Sequence, residues 1–156
     1  MAGAIDITFD DLCGNFDPAT VTAVFCDDGT GRPGKRLDVA ISVGRRLGDA
    51  ILLKGWPTIE QIETLIAEDD AVRALMCRLI IATGMQGKAE WTGDGAPHKG
   101  LEQRTMAQLE LLATAQARSV GEAAAGKNPN AGGTIQPGTP NFMFAPSRSR
   151  PRRGGY

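Results

Sequence analysis

The chain has 156 residues, enough for one domain or for one domain with an appendage. Its three cysteines form no CxxC pair, which argues against a disulfide framework and indicates a reducing compartment. Residues 1–126 carry 12 Lys/Arg against 18 Asp/Glu, whereas residues 127–156 carry five Lys/Arg and no acidic side chain. An acidic body is a poor binder of nucleic acid, and a basic tail favours an acidic partner.

The first predicted element is a short helix. Thr8 and Asp11 have the spacing of a capping box, in which Asp11 replaces the usual Glu or Gln. Such a box opens a helix through Leu12 and Cys13, and Gly14 can end it. We therefore expect one or two helical turns near the beginning of the chain.

A second start signal follows at once. Asp17 is a good N-cap, and Pro18 suits the first helical position. The β-branched run 21–25 keeps a strand open as an alternative there. Residues 27–34 consist of turn formers, so the element ends before them.

The strongest helical periodicity occupies the middle of the chain. Residues 35–54 read as an amphipathic helix, with apolar or small residues recurring every three or four positions: Leu37, Ala40, Ile41, Gly44, Leu47, Ile51 and Leu52. A break at 55–57 and a second capping box at Thr58 and Gln61 begin the next helix, and Asp69 or Asp70 can cap another. The clearest apolar stripe follows, and we expect its helix to form the core: Val72, Leu75, Met76, Leu79 and Ile80.

Three segments complete the chain. Residues 85–99 are rich in glycine and polar side chains and predict a loop. Residues 101–120 are again helical, with an apolar side formed by Leu101, Met106, Leu109, Leu112 and Ala113. The fold class is therefore mainly α: a small bundle of four to five helices over 1–120, a flexible linker over 121–141, and an extended arm over 142–156.

Two glycine- and acid-rich patterns resemble ligand sites. Gly29 to Gly34 matches GxGxxG and, read to Lys35, GxxxxGK. However, Arg36 replaces the Ser/Thr that holds magnesium, and Pro33 removes a backbone donor, so we interpret the stretch as a turn. The acidic residues nearby lack EF-hand spacing: Asp27, Asp28 and Asp38. We predict no cofactor and no metal.

Catalytic groups are equally hard to find. His98 is the only histidine and lies in a loop without a ligand or nucleophile partner at a useful spacing, which favours a solvated residue. Two carboxylate pairs can be imagined as acid–base dyads, but placement at helix starts explains them more simply: Glu60 with Glu63, and Asp69 with Asp70. We therefore expect a protein that is not an enzyme.

The end of the chain has the composition of a docking segment. Phe142 and Phe144 point the same way in an extended chain, and a terminal Tyr156 follows two glycines. Arginines alternate with other residues between these aromatics: Arg148, Arg150, Arg152 and Arg153. Aromatic and arginine side chains dominate the energetics of interfaces, and extended peptides bind sheet edges or grooves. A basic tail for solubility or for non-specific nucleic-acid binding remains an alternative.

The order of these features resembles the head–tail adaptor (connector) proteins of tailed bacteriophages, the Mu-like group in particular. The resemblance covers most of 8–120 and the last fifteen residues, and rests on the following pieces: Asp11-Leu12, Phe16, Val21 to Phe25, the Asp28 to Gly31 turn, the helix Arg36 to Leu53, Trp56-Pro57, the stripe Val72 to Ile80, Phe142 to Phe144, and Arg153 to Tyr156.

The resemblance implies a ring of subunits, commonly twelve, that lies below the portal and joins it to a tail or stopper protein. It implies an arm that reaches the portal or an adjacent subunit. An acidic body that lines a channel would repel DNA, so we expect genomic DNA to pass through the ring without specific binding. The expected location is the neck of the virion, assembled in the host cytoplasm. With no signal-peptide pattern and no apolar run of ~18 residues, no membrane is expected. A stopper or tail-completion protein, or a nucleic-acid accessory protein, is the alternative.

Overall fold

The computed structural model describes residues 5–26 and 31–126, and within these ranges the protein contains seven helices and no strand. The helices are α1 (Phe9–Asn15), α2 (Pro18–Phe25), α3 (Lys35–Leu52), α4 (Ile59–Glu68), α5 (Asp70–Gln86), α6 (Ala89–Thr92) and α7 (Leu101–Gly126). The mainly helical class is thus confirmed, whereas the described residues form seven helices instead of the four to five that the sequence predicts. The chain divides into two compact units, Met1–Ala117 and Arg118–Tyr156, and the packing below is that of the first. Of the second, the structure describes the end of α7.

The predicted helix starts are confirmed by their caps. Thr8 accepts a hydrogen bond from the Asp11 amide while the Asp11 carboxylate accepts from the Thr8 amide, and Thr58 with Gln61 repeats this arrangement at α4. Asp17 caps α2 and Asp69 caps α5 through their carboxylates. These short-range hydrogen bonds provide acceptors for amide groups at the helix starts, which have no acceptor within the helix.

Some boundaries differ from the sequence prediction. The run 21–25 continues the helix predicted to begin at Asp17, and the strand alternative is excluded, because the Asp17 cap and the burial of Val21, Val24 and Phe25 outweigh β-branched preference. A short helix, α6, interrupts the loop predicted over 85–99. Helix α7 continues past residue 120 to Gly126, because residues 122–125 are strong helix formers.

Helix α5 is the core helix, as its stripe predicts. It packs against α1, α2, α3, α4 and α6. Nine of its residues are buried, so apolar side chains cover most of its circumference: Val72, Met76, Cys77, Leu79, Ile80, Ile81, Ala82, Gly84 and Met85. A helix that is apolar around most of its circumference must be enclosed by neighbours, and here five helices provide that enclosure.

The closest helix packing in the unit joins α3 to α5. Ala40, Gly44 and Gly48 are buried and lie four residues apart, so they form one narrow seam along α3. A methyl group added at Gly44 would lie 2.9 Å from the Cα atom of Ile80, and one at Gly48 would overlap the sulfur of Met76. At Gly44 the α5 backbone can approach only because this position carries no side chain, whereas at Gly48 an added methyl group would meet the side chain of Met76.

Helix α7 packs through residues four apart: Thr105, Leu109 and Ala113 are buried. The Thr105 hydroxyl donates to the Leu101 carbonyl at 2.8 Å, which allows a polar side chain in the interior. Leu112, expected on the same apolar side, is instead 39% exposed. The buried seam of α7 is therefore narrower than its sequence pattern indicates.

Gly44→Ala should lower the free energy of unfolding by about 2 kcal/mol, because overpacking against the α5 backbone outweighs the gain in helix propensity. Urea denaturation measures the change. Gly121→Ala is the matched control, since Gly121 is also helical and has no atom within 4 Å of an added methyl group. We expect the control to leave the free energy of unfolding unchanged or to raise it slightly; equal losses in the two variants would contradict the close-packing explanation.

Candidate interaction surface

The residues that the sequence assigns to the docking arm lie outside the described residues: Phe142, Phe144, Arg148, Arg150, Arg152, Arg153 and Tyr156. The structure instead describes the surface of the helical body. A largely buried ionic cluster lies within the body, and two neighbouring grooves lie on its surface.

The described part of the glycine motif, residues 31–34, is a bend followed by irregular backbone that leads into α3. The preceding element is helix α2 rather than the strand that a phosphate cradle requires, and Gly34 is the N-cap of α3 without a side-chain hydrogen bond. The Arg36 guanidinium donates to the Gly84 carbonyl at 3.0 Å, so this side chain holds the beginning of α3 against the end of α5.

His98 does not behave as a purely solvated residue. Its side chain is exposed, yet its ring lies edge-on to Phe16 at 5.1 Å and stacks on Trp91 at 6.5 Å between centroids. Its backbone has φ 59°, a left-handed conformation that such contacts can hold in place. The sequence offers no signal for this cluster, because Phe16 is distant in the chain from Trp91 and His98.

Glu60 and Glu63, the carboxylate pair of α4, lie in different environments. Glu60 is exposed in the first turn of α4. Glu63 is 7% exposed and forms an ion pair with Arg45 of α3. Glu63 Oε2 also accepts from the Ile5 amide at 2.7 Å, and Arg45 donates to the Ile5 carbonyl at 2.9 Å. This ionic cluster therefore joins α3, α4 and the N-terminal segment.

Asp49 borders the ionic cluster and has an altered proton affinity. Burial raises the pKa of Asp49 above its ordinary value; the positive charge of Arg45 opposes this effect, and the negative charge of Glu63 adds to it. The Arg45 Nε to Asp49 Oδ1 distance is 3.7 Å, too long for a good hydrogen bond. The cluster thus contains two carboxylates for one guanidinium, so its contribution to the free energy of unfolding depends on pH.

An apolar groove of about 530 Å³ lies between α5 and α7. It is lined by Ala71, Ala74, Leu75, Arg78, Gln108, Leu111 and Leu112. Leu111 is 71% exposed, the most exposed large apolar side chain among the described residues. Exposed apolar grooves with a polar edge are typical of sites that bind another protein.

An acidic groove of about 880 Å³ adjoins the apolar groove. Helix α4 and the beginning of α5 line it with four acidic residues, Glu60, Glu68, Asp69 and Asp70, together with Trp56, Thr58, Gln61, Thr64, Leu65 and Ala71. Ala71 lines both grooves, so they form one continuous surface that is apolar at one end and acidic at the other.

Comparisons with known proteins leave this surface as the main guide to function. No protein-family model, curated protein or solved structure matches the chain. Within residues 5–26 and 31–126, no group of three or more metal-ligating side chains could hold an ion. None of the helices that the structure describes is both long and apolar enough to span a bilayer.

Glu63→Ala should lower the free energy of unfolding by about 3 kcal/mol, because it leaves the largely buried Arg45 guanidinium without its carboxylate. Chemical denaturation at neutral pH measures this loss. Glu60→Ala, a change of the same residue type in the same helix at an exposed position, should cost less than about 1 kcal/mol. Similar losses for the two variants would show that the buried ion pair is not the important contact.

Asp49→Asn should alter the pH dependence of stability. The raised pKa means that the folded protein binds the Asp49 proton more tightly than the unfolded chain. Its stabilising effect is therefore complete below the ordinary carboxyl pKa and is lost as the pH rises through the folded pKa.

The Asp49→Asn protein does not lose stability in this way, because its side chain at position 49 does not titrate. Its free energy of unfolding relative to wild type should increase as the pH rises from about 4 to about 7. Denaturation curves of both proteins at several pH values test this expectation, and a constant or decreasing difference would contradict it.

Proposed function

We propose that the chain is a structural virion protein that forms a ring, with twelve as the expected copy number, between the portal and the tail of a bacteriophage. Its C-terminal arm docks on the portal or on a neighbouring subunit, and a tail or stopper protein attaches to the ring. Genomic DNA passes through the channel without specific binding. The protein acts by assembly and not by catalysis.

The observation that carries the proposal is the division of the chain into a helical body and a basic, aromatic tail. The body accounts for all 18 acidic residues, and the last thirty residues carry positive charge only. The body also exposes an apolar groove next to an acidic one. A subunit that offers both a tail and a complementary surface is suited to repeated assembly.

Repetition makes modest contacts sufficient. In a ring, each tail contact occurs once per subunit, so an interface of low individual affinity produces a firm joint through high effective concentration. The net charge of −6 on residues 1–126 would also repel a DNA duplex, which allows movement of the genome past the protein without retention.

Removal of residues 127–156 should abolish attachment while leaving the helical body folded. The cut follows Gly126 because α7 ends there. The measurement is co-purification with the portal protein encoded in the same viral genome, and circular dichroism reports whether the body remains helical. We expect complete loss of the complex with an intact helical signal; wild-type attachment by the truncated protein would rule out the docking role.

Two controls separate the alternatives. A stopper protein would bind a ring already assembled on the portal and not the isolated portal, so portal-only co-purification decides between the two neck positions. A nucleic-acid accessory protein would bind DNA with an affinity that falls steeply as salt increases. Direct portal binding without such DNA binding supports the adaptor role.

A further inference from the structure

We propose that the apolar groove between α5 and α7 receives residues 142–156 from the tail of a second copy of this chain. The inference rests on the proposed function and identifies the acceptor surface within it. The proposed juxtaposition is specific: the aromatic part of the tail lies between α5 and α7, and the arginines lie beside the acidic groove.

The apolar part of the proposed contact depends on side-chain size and spacing. Leu75, Leu111 and Leu112 line the groove on both helices, and Ala71 and Ala74 leave room between them. Phe142 and Phe144 project from the same side of an extended chain, so both rings can enter one groove. Burying such rings against leucine side chains gives about 2 kcal/mol each, enough for a specific weak contact.

The charged part of the proposed contact determines the direction in which the tail runs along the groove. Arg78 lies at one end of the apolar groove, and Ala71 at the other end continues into the acidic groove. The rise of α5 from Asp70 to Arg78 is about 12 Å. Arg148 follows Phe144 by four residues, a reach of about 13 Å in an extended chain. With the rings in the groove, the arginines therefore meet Glu68 and Asp70 when the tail runs toward the beginning of α5, whereas the opposite direction places them near Arg78.

A second copy is the occupant because ring closure requires two different complementary surfaces on each subunit. A head-to-tail interface joins one patch to a non-identical patch on the next molecule. This chain supplies both: a tail with a charge of +5 and a body with a charge of −6. The fifteen residues 127–141 can span up to about 50 Å, which is ample for reaching a neighbour.

The first experiment measures binding of a fluorescent peptide, residues 137–156, to the full chain carrying Phe142→Ala and Phe144→Ala. These substitutions weaken the protein's own tail and leave its groove free. We expect saturable binding that weakens as ionic strength rises. Leu111→Glu in the same background should weaken binding at least about tenfold, because Leu111 lines the groove, and Glu68→Lys should weaken it less.

The matched control is Val39→Glu, which adds the same charge at an exposed apolar residue of α3 outside both grooves. Because Val39 and Leu111 are both largely exposed, neither variant should unfold, and circular dichroism verifies this. Absence of saturable peptide binding, or equal loss with Val39→Glu, overturns the proposal.

The second experiment tests whether the tail docks on another copy. The full-length Leu111→Glu protein retains a tail without a groove, and the full-length Phe142→Ala/Phe144→Ala protein retains a groove without a tail. Sedimentation of the mixture should show a 1:1 pair that neither protein forms alone. A mixture that remains monomeric at concentrations above the peptide dissociation constant overturns the second-copy assignment.

The two proposals fail in different ways. If Leu111→Glu co-purifies with the portal as wild type does and the truncation after Gly126 does not, the arm still docks but its acceptor is another surface. If the truncated chain also co-purifies, the docking role itself is wrong.

Discussion

The contact between α3 and α5 is the constraint on which the helical body depends. Two glycines and an alanine along α3 allow the backbones to approach until an added methyl group would overlap Ile80 or Met76. A glycine within a helix costs about 1 kcal/mol relative to alanine, and α3 contains two at the contact. Close packing over several turns offsets this cost, and α5 is the element around which α1, α2, α3, α4 and α6 are placed.

The other helices are held by less demanding interactions. The Arg45–Glu63 ion pair and the Ile5 backbone join α3, α4 and the N-terminal segment, and Arg36 joins the beginning of α3 to the end of α5. Helix α7 buries only a narrow seam. That narrow seam explains the surface beside it: Leu111 and Leu112 remain outside the core and, with Leu75 of α5, form an apolar groove. The proposed docking function is thus a consequence of incomplete burial rather than of a separately built site.

Local sequence signals predicted much of the fold. The capping boxes at Thr8 and Thr58 and the caps at Asp17 and Asp69 depend on residues two to three positions apart, so they are readable without tertiary information. The stripe 72–80 correctly marked the core helix. Local signals were less decisive where tertiary burial matters. The sequence left a strand open for residues 21–25, which are helical, and Leu112 is partly exposed although it belongs to the apolar pattern of α7.

The amino-acid sequence by itself determined the helical class, most helix starts, and the separation of an acidic body from a basic, aromatic tail, because these follow from short-range hydrogen bonds, periodicity and composition. Only the tertiary structure decided that Glu63 is buried with Arg45 while Glu60 remains exposed, and that α5 and α7 leave an apolar groove continuous with an acidic one. The physical reason is sequence distance. A helical pattern shows which side of a helix is apolar, but which neighbour covers that side, and how completely, depends on residues far away in the chain.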